Sequence, residues 1–147
     1  MKKIMIVDDN YLSAEGIEKN IDWEALNAEI VHICYNGTSA IEAMKKESVD
    51  LIISDIEMPD LDGISMSRQA LNINPMVKII LISAYDKFEY ARRALLLGAL
   101  DYIEKPLDYA YLIQKVKKRI FALMEREQKN LQLLKQSRPL LIGKIFP

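Results

Sequence analysis

The chain has 147 residues, half of them hydrophobic, a formal net charge of -1 and a single cysteine. That is the size of one domain with a sizeable core and, at most, an appendage. The near-neutral balance argues against a body that binds nucleic acid. One cysteine excludes an intramolecular disulfide framework and fits a reducing, cytoplasmic setting.

Apolar runs with polar ends alternate with helical patterns along the chain. A strand over 3–7, built on Ile4-Met5-Ile6-Val7, is closed by Asp8-Asp9 and leads to a helix over 11–20. A strand over 29–34 contains His32 and Cys34 and precedes a helix over 38–46. A strand over 50–54, Asp50 to Ser54, is closed by Asp55, and a helix over 64–71 comes next. Asn74-Pro75 breaks the chain before a strand over 77–82, which ends in Ser83-Ala84. A helix over 87–97 is stopped by Gly98 at its C′ position. A short strand over 101–103 then passes through Glu104-Lys105-Pro106 into a last helix from about residue 108. Met1-Lys2-Lys3 resembles the opening of a signal peptide, but the apolar run behind it stops at Asp8, too soon for an h-region. No segment is long enough to span a bilayer.

Short apolar runs bounded by turn signals read as strands buried on both faces. Alternation of such strands with helices predicts a doubly wound (βα)5 domain of the α/β class around a parallel sheet. Ligands of an open parallel sheet bind in the crevice at the strand carboxyl ends. Asp8, Asp9, Asp55, Ser83 and Lys105 should therefore meet at one edge. Clustered carboxylates raise each other's pKa, so packing gives no reason to assemble them. A hard cation such as Mg2+ does, because it takes oxygen ligands and neutralises them.

The last helix outlasts its domain. Ile113, Val116, Ile120 and Leu123 follow 3-4 spacing and should bury one face. The stretch 125–130 is polar, apolar residues return at Leu131, Leu133 and Leu134, and Pro139 should end the helix. Leu131 and Leu134 lie beyond any intramolecular core, so the helix has a reason to pair with its twin, with Glu127 and Asn130 near the seam. The apolar ending 140–147 reads as the start of a further element. The expected organisation is a domain over 1–122, a linker helix over 123–138, and the beginning of a further region over 139–147.

Each candidate also has a plain reading. Asp9 could cap a helix, Asp55 could be a loop acid, Lys105 a solvated lysine and Tyr102 ordinary packing. His32 reads as a half-exposed or satisfied strand residue, since it has no second histidine. Cys34 reads as a buried small hydrophobe. Lys115, Lys117, Lys118, Arg119 and Arg126 are interleaved with apolar residues and read as a solvated face, as does the pair Arg92-Arg93. Gly16, Gly37 and Gly63 lack phosphate-cradling spacing. The plain readings are weakened together by one fact: each polar candidate falls just after an apolar run.

The order of Asp-Asp, Asp55-Ile56-Glu57-Met58-Pro59 with Asp62-Gly63, Ser83-Ala84 and Lys105-Pro106 resembles the receiver domain of two-component response regulators, over residues 2 to about 122. The stretches 82–91 and 98–107, with Ile21-Asp22-Trp23-Glu24, resemble a subgroup whose receiver precedes a C-terminal AraC-type DNA-binding domain. The resemblance implies a flavodoxin-like sheet of strand order 2-1-3-4-5. It implies that Asp55 is the phosphoacceptor for a sensor histidine kinase. Asp9 and Asp55 would ligate Mg2+ directly with the backbone carbonyl of Glu57, and Asp8 would help through water. Lys105 would pair with the phosphoryl group, Ser83 would hydrogen-bond to it, and Tyr102 would be an aromatic switch. The implied partners are the kinase and a second copy of the chain, with DNA reached only through a domain outside it and no membrane. The implied role is a switch that controls transcription, or a stand-alone phosphotransfer module, rather than an enzyme. An aspartyl-phosphate phosphatase, with Glu57 as its general acid, is the enzymatic alternative. A flavodoxin-like electron carrier is disfavoured, because two aspartates would repel a flavin phosphate.

Overall fold

The computed structural model describes residues 1–84, 89, 92, 93, 96 and 100–145, with side chains omitted at 100 and 137–145. In chain order the elements are β1 (Lys2–Val7), α1 (Tyr11–Lys19), a single 3-10 turn (Glu24–Leu26), β2 (Ala28–Cys34), α2 (Gly37–Lys46), β3 (Leu51–Asp55), α3 (Gly63–Ile73), β4 (Lys78–Ser83), β5 (Leu100–Glu104) and α4 (Tyr109–Ile145). The strands form one sheet in the order β2-β1-β3-β4-β5, every pair parallel. The doubly wound architecture and its strand order are those anticipated. Most of the helix expected over 87–97, with Gly98, lies outside the described residues; residues 89, 92, 93 and 96 are helical.

The central strands have no polar face because both faces are covered. Met5, Val7, Ile52, Ile79 and Leu81 belong to one buried cluster, together with Ala40, Ile41 and Met44 of α2 and Ile64, Met66 and Ala70 of α3. Ile4, Ile6, Leu51, Ile53, Ile80 and Ile82 belong to the other, with Ala14 and Ile17 of α1 and Leu112, Val116 and Ile120 of α4. Neighbours in sequence thus go to opposite cores, as the two-residue period of a strand demands. Three helices begin at side-chain caps. The carbonyl oxygens of Asn10 and Asn36 and the carboxylate of Asp62 accept backbone N–H bonds from the first turns of α1, α2 and α3.

Helix α4 departs from expectation in three places. Its fully buried ridge is Leu112, Val116, Ile120 and Leu123, and Ile113 is only partly buried beside it. The 3-4 pattern holds but its first member lies one residue earlier, where an i, i+4, i+8 row faces the sheet squarely. Glu127, expected near a seam, already pairs with Lys2 at the start of β1, so the helix still touches the body there. The helix also passes through Pro139 to Ile145. A proline removes one hydrogen bond and crowds the carbonyl four residues back, which can kink a helix without ending it.

Two residues of the supposed solvated face are bound. The Arg119 Nε donates to Asp101 Oδ2 at 2.6 Å, and the Lys115 Nζ lies 3.8 Å from Asp101 Oδ1. Burial pushes the Asp101 carboxyl up, but Arg119 and then Lys115 outweigh it and hold it below the usual carboxylate range. Lys117, Lys118 and Arg126 are exposed, as expected. Cys34 is buried against Met5, and burial raises its thiol pKa. His32 is half-buried, its Nε2 without a hydrogen bond among the described residues but 3.7 Å from Glu47 Oε2. Among the described residues no helix is long and apolar enough to cross a membrane.

The register of α4 yields a direct test. Leu112→Ala should destabilise the protein by about 2–4 kcal/mol, the cost of a cavity at a fully buried leucine. Ile113→Ala should cost less than half of that. Urea unfolding followed by circular dichroism separates the two, and equal losses would place the helix in the wrong rotation.

Candidate functional site

The sheet topology brings the polar candidates together. Asp8 directly follows β1 and its N–H donates to the Cys34 carbonyl at 3.0 Å, which fixes where the chain leaves the sheet. Asp55 is the last residue of β3, in register with Ile82 of β4. Ser83 ends β4, in register with Glu104 of β5. The Lys105 N–H donates to the Ser83 carbonyl at 2.7 Å, so the lysine emerges next to Asp55. The Lys105–Pro106 peptide is cis.

The carboxylates of Asp8, Asp9 and Asp55 each offer an oxygen within 4.8 Å of the others. Asp8 and Asp55 are buried and Asp9 is exposed. The helix cap is Asn10, whose side chain accepts from the Leu12 and Ser13 N–H groups. The capping role that Asp9 could have taken is therefore filled by its neighbour, and its carboxylate accepts no hydrogen bond among the described residues. Asp8 Oδ1 accepts from the Asn10 N–H at 2.9 Å. Asp55 Oδ1 accepts from the Ile56 N–H at 3.0 Å and lies 3.5 Å from the Lys105 Nζ.

The electrostatics follow from this crowding. Burial, then the charge of Asp8, raises the Asp55 carboxyl to about 6 in spite of Lys105. Burial also raises Asp8, opposed by the Asn10 N–H and by Lys105, while Asp9 adds to the rise. A cation would relieve three mutually repelling groups at once, and the all-oxygen donor set suits a hard divalent ion.

Ser83 supplies a second unmet demand. Its hydroxyl is fully buried and has no hydrogen-bond partner among the described residues. A buried orphan hydroxyl costs free energy, so its persistence at a strand end asks for an acceptor that arrives from outside. Tyr102, opposite Leu81 on β5, is half-buried and packs against the Met5 cluster. Glu57 is exposed, two residues beyond Asp55.

One residue of the site carried no assigned role in the sequence. A Cβ on Gly63 would lie 2.2 Å from the Asp55 carbonyl oxygen and 2.9 Å from the Ile56 Cα. The Gly63 N–H donates to the Ile56 carbonyl at 2.8 Å. The start of α3 thus presses directly on the loop that carries Asp55, and only glycine leaves room for it. An Asp-Gly pair opening a helix soon after a strand-end acid is the signal that could have marked it.

The raised carboxyl of Asp55 makes stability depend on pH. The folded state holds its proton up to about pH 6, whereas an unfolded aspartate releases it near 3.8. Between those values the folded protein binds more protons, so its stability falls as pH rises. Asp55→Asn should match the wild type near pH 3.5 and exceed it by about 2 kcal/mol at pH 7.5 in metal-free buffer. Thermal melts across that range would show the divergence. A constant difference at every pH would mean that the carboxyl is not perturbed.

Comparison with known proteins agrees with this geometry. Residues 4–117 match the response regulator receiver domain. The REC domain of AraT, a response regulator from Geobacillus stearothermophilus, is 34% identical with a TM-score of 0.81, over 86% of this chain and 98% of that one. A two component transcriptional regulator AraC from Clostridium phytofermentans is 30% identical with a TM-score of 0.78, over 88% of this chain and 99% of that one. Among curated proteins, the uncharacterized transcriptional regulatory protein YesN of Bacillus subtilis is 30% identical over 86% of this chain, and the transcriptional regulatory protein HptR of Staphylococcus aureus is 28% identical over 88%. The matched parts are 34% and 51% of those two proteins, so the chain spans about a third to a half of their length. None of these relatives supports the phosphatase alternative. With the family matched over most of its length, the chain belongs to the response regulator receiver domains.

Proposed function

We propose that Asp55 accepts a phosphoryl group from the phosphohistidine of a sensor kinase, and that the acylphosphate so formed switches the outer face of the domain. The observation that carries this reading is the surround of Asp55, with two acids on one side, the Lys105 ammonium at 3.5 Å and the orphan Ser83 hydroxyl at the neighbouring strand end. Attack by an Asp55 oxygen on phosphorus breaks the N–P bond, and the donor imidazole leaves. Asp55 Oδ1 is held by the Ile56 N–H, which leaves Oδ2 to make the attack. Lys105 balances charge on the transferred group as a compact point charge. Ser83 donates its unused hydroxyl to a phosphoryl oxygen.

Asp9 and Asp55 would hold Mg2+ directly, with the backbone carbonyl of Glu57, and Asp8 would act through water. When bound, Mg2+ supplies positive charge that makes the carboxylate nucleophile and the anionic phosphoryl group compatible. The exposed, unbonded Asp9 carboxylate beside two buried acids fits such an ion. Movement of Ser83 toward the phosphoryl group would free space on β4, and Tyr102 on the adjacent strand would turn inward. Such a shift needs a contact made in one state only, and the Ser83 hydroxyl provides it.

The relatives named as transcriptional regulators support an output in transcription, exerted through a DNA-binding domain outside this chain. On that reading residues 1–122 are the receiver, 123–138 a linker helix and 139–147 the start of a further region, in a cytoplasmic protein. The linker helix would pair with that of a second copy.

With acetyl phosphate and Mg2+, the wild type should gain one phosphate and Asp55→Asn none, as read by intact mass. Full labelling of Asp55→Asn would reject the assignment. Ser83→Ala should still be labelled but lose most of the phosphorylation-linked change in the NMR signals of Tyr102, and an unchanged response would remove Ser83 from the switch.

A further inference from the structure

Ser54 interrupts an apolar strand at the step before Asp55. It is fully buried, and its partners in register are Val7 on β1 and Leu81 on β4, both in the Met5 cluster. An apolar side chain would fill that place without the cost of burying a hydroxyl. The hydroxyl is spent on one bond. Ser54 Oγ donates to the Asp55 carbonyl oxygen at 2.8 Å.

The Asp55 carbonyl and the Ile56 N–H are two ends of one planar peptide unit. Whatever grips the oxygen therefore also aims the N–H. That N–H is shared between two acceptors, Asp55 Oδ1 and the Ile82 carbonyl, each at 3.0 Å. A small tilt of the plane decides between them. Tilted one way, the N–H completes the ladder to β4; tilted the other, it holds the carboxylate. Gly63 limits the plane by contact, since a Cβ there would lie 2.2 Å from the Asp55 carbonyl oxygen. The Ser54 hydroxyl adds what contact cannot, a bond with a preferred direction.

We propose that Ser54 is a positioning residue for phosphoryl transfer. By fixing the Asp55–Ile56 peptide plane it keeps the N–H on Asp55 Oδ1 and so keeps Oδ2 aimed at the incoming phosphorus. The inference rests on Asp55 as the phosphoacceptor and deepens that reading. When Oδ2 attacks acetyl phosphate, the bond from phosphorus to the acetyl oxygen breaks and acetate leaves. Oδ1 then becomes the carbonyl oxygen of the acylphosphate, still under the Ile56 N–H. Ser54 acts through the backbone, at the far end of the peptide from the N–H it aims. Its effect falls on the rate of the bound complex, not on capture of the donor.

Phosphorylation of the full chain with Mg2+, followed by intact mass as acetyl phosphate is varied, separates these two quantities. Ser54→Ala should lower the saturated rate about tenfold, the scale of a slight misalignment of reacting atoms, with the half-saturating donor concentration unchanged. Ser54→Thr keeps the hydroxyl and should recover most of the rate. In metal-free protein the Ile56 amide proton should move upfield in Ser54→Ala. Ser67 is the control, because it is equally buried and its hydroxyl donates to the Gly63 carbonyl at 2.6 Å inside α3. Ser67→Ala should lower the melting temperature but phosphorylate at the wild-type rate. A wild-type saturated rate in Ser54→Ala, or an equal loss of rate in Ser67→Ala, would make Ser54 a packing residue and overturn this inference alone. A wild type that takes up no phosphate would overturn the reading of Asp55 and this inference with it.

Discussion

The molecule turns on the cost of holding Asp55 as a carboxylate. The residue ends a strand buried on both faces, and among the described residues the charged groups beside it are two further acids and one lysine. The sheet enforces this crowding, because β1 and β3 are neighbours and their ends cannot move apart without breaking the central ladder. A site that is unfavourable when empty gains most from whatever neutralises it. A divalent cation is such a partner, because it offsets the charge of all three acids at once.

From that site a chain of direct contacts leads outward. Asp55 faces Ile82 across the ladder, the Ser83 carbonyl receives the Lys105 N–H, and β5 carries Tyr102 beside Asp101. Asp101 is in turn tied to α4 through Arg119 and Lys115. Each link is a hydrogen bond, an ion pair or a step in register. Displacement of the β4 end can therefore be felt by the long helix through rigid elements, without passing through the apolar cores. Asp55 and Asp101 both meet basic partners, yet their carboxyls are shifted in opposite directions. Asp55 has one lysine against two acids and deep burial, whereas Asp101 has an arginine in direct hydrogen bond and a lysine behind it.

Much of this was legible in the sequence because strand ends are written in a simple code. An apolar run such as Leu51-Ile52-Ile53 has one reading when both of its faces are covered, and the polar residue after it must lie at the sheet edge. The clustering of Asp8, Asp9, Asp55, Ser83 and Lys105 followed from that alone. Contacts between segments far apart were not legible. That Arg119 and Lys115 would meet Asp101 depends on how α4 crosses β5, and a basic residue between apolar ones looks solvated until its neighbour is known. The choice of Leu112 over Ile113 depends on rotation of the helix by one residue, which a 3-4 repeat leaves open. Asn10 displacing Asp9 as the cap and Gly63 pressing on the Asp55 loop are matters of local backbone path. The 3-10 turn after Trp23 is too short to leave a period.

The ion pair between Lys2 and Glu127 ties the helix to the start of β1, and residues 128–145, 18 in all, follow it. At 1.5 Å per residue that is an arm of about 27 Å. A tilt of about 5° at the body would carry the far end sideways by about 2 Å, roughly half the spacing of adjacent strands. Changes too small to alter the packing around Asp101 thus become displacements on the scale of a side chain at the distal end. A helix of this length works as a mechanical amplifier whose gain is set by residue count, and inserting or deleting a few residues after Glu127 would change both the size and the direction of the motion it transmits.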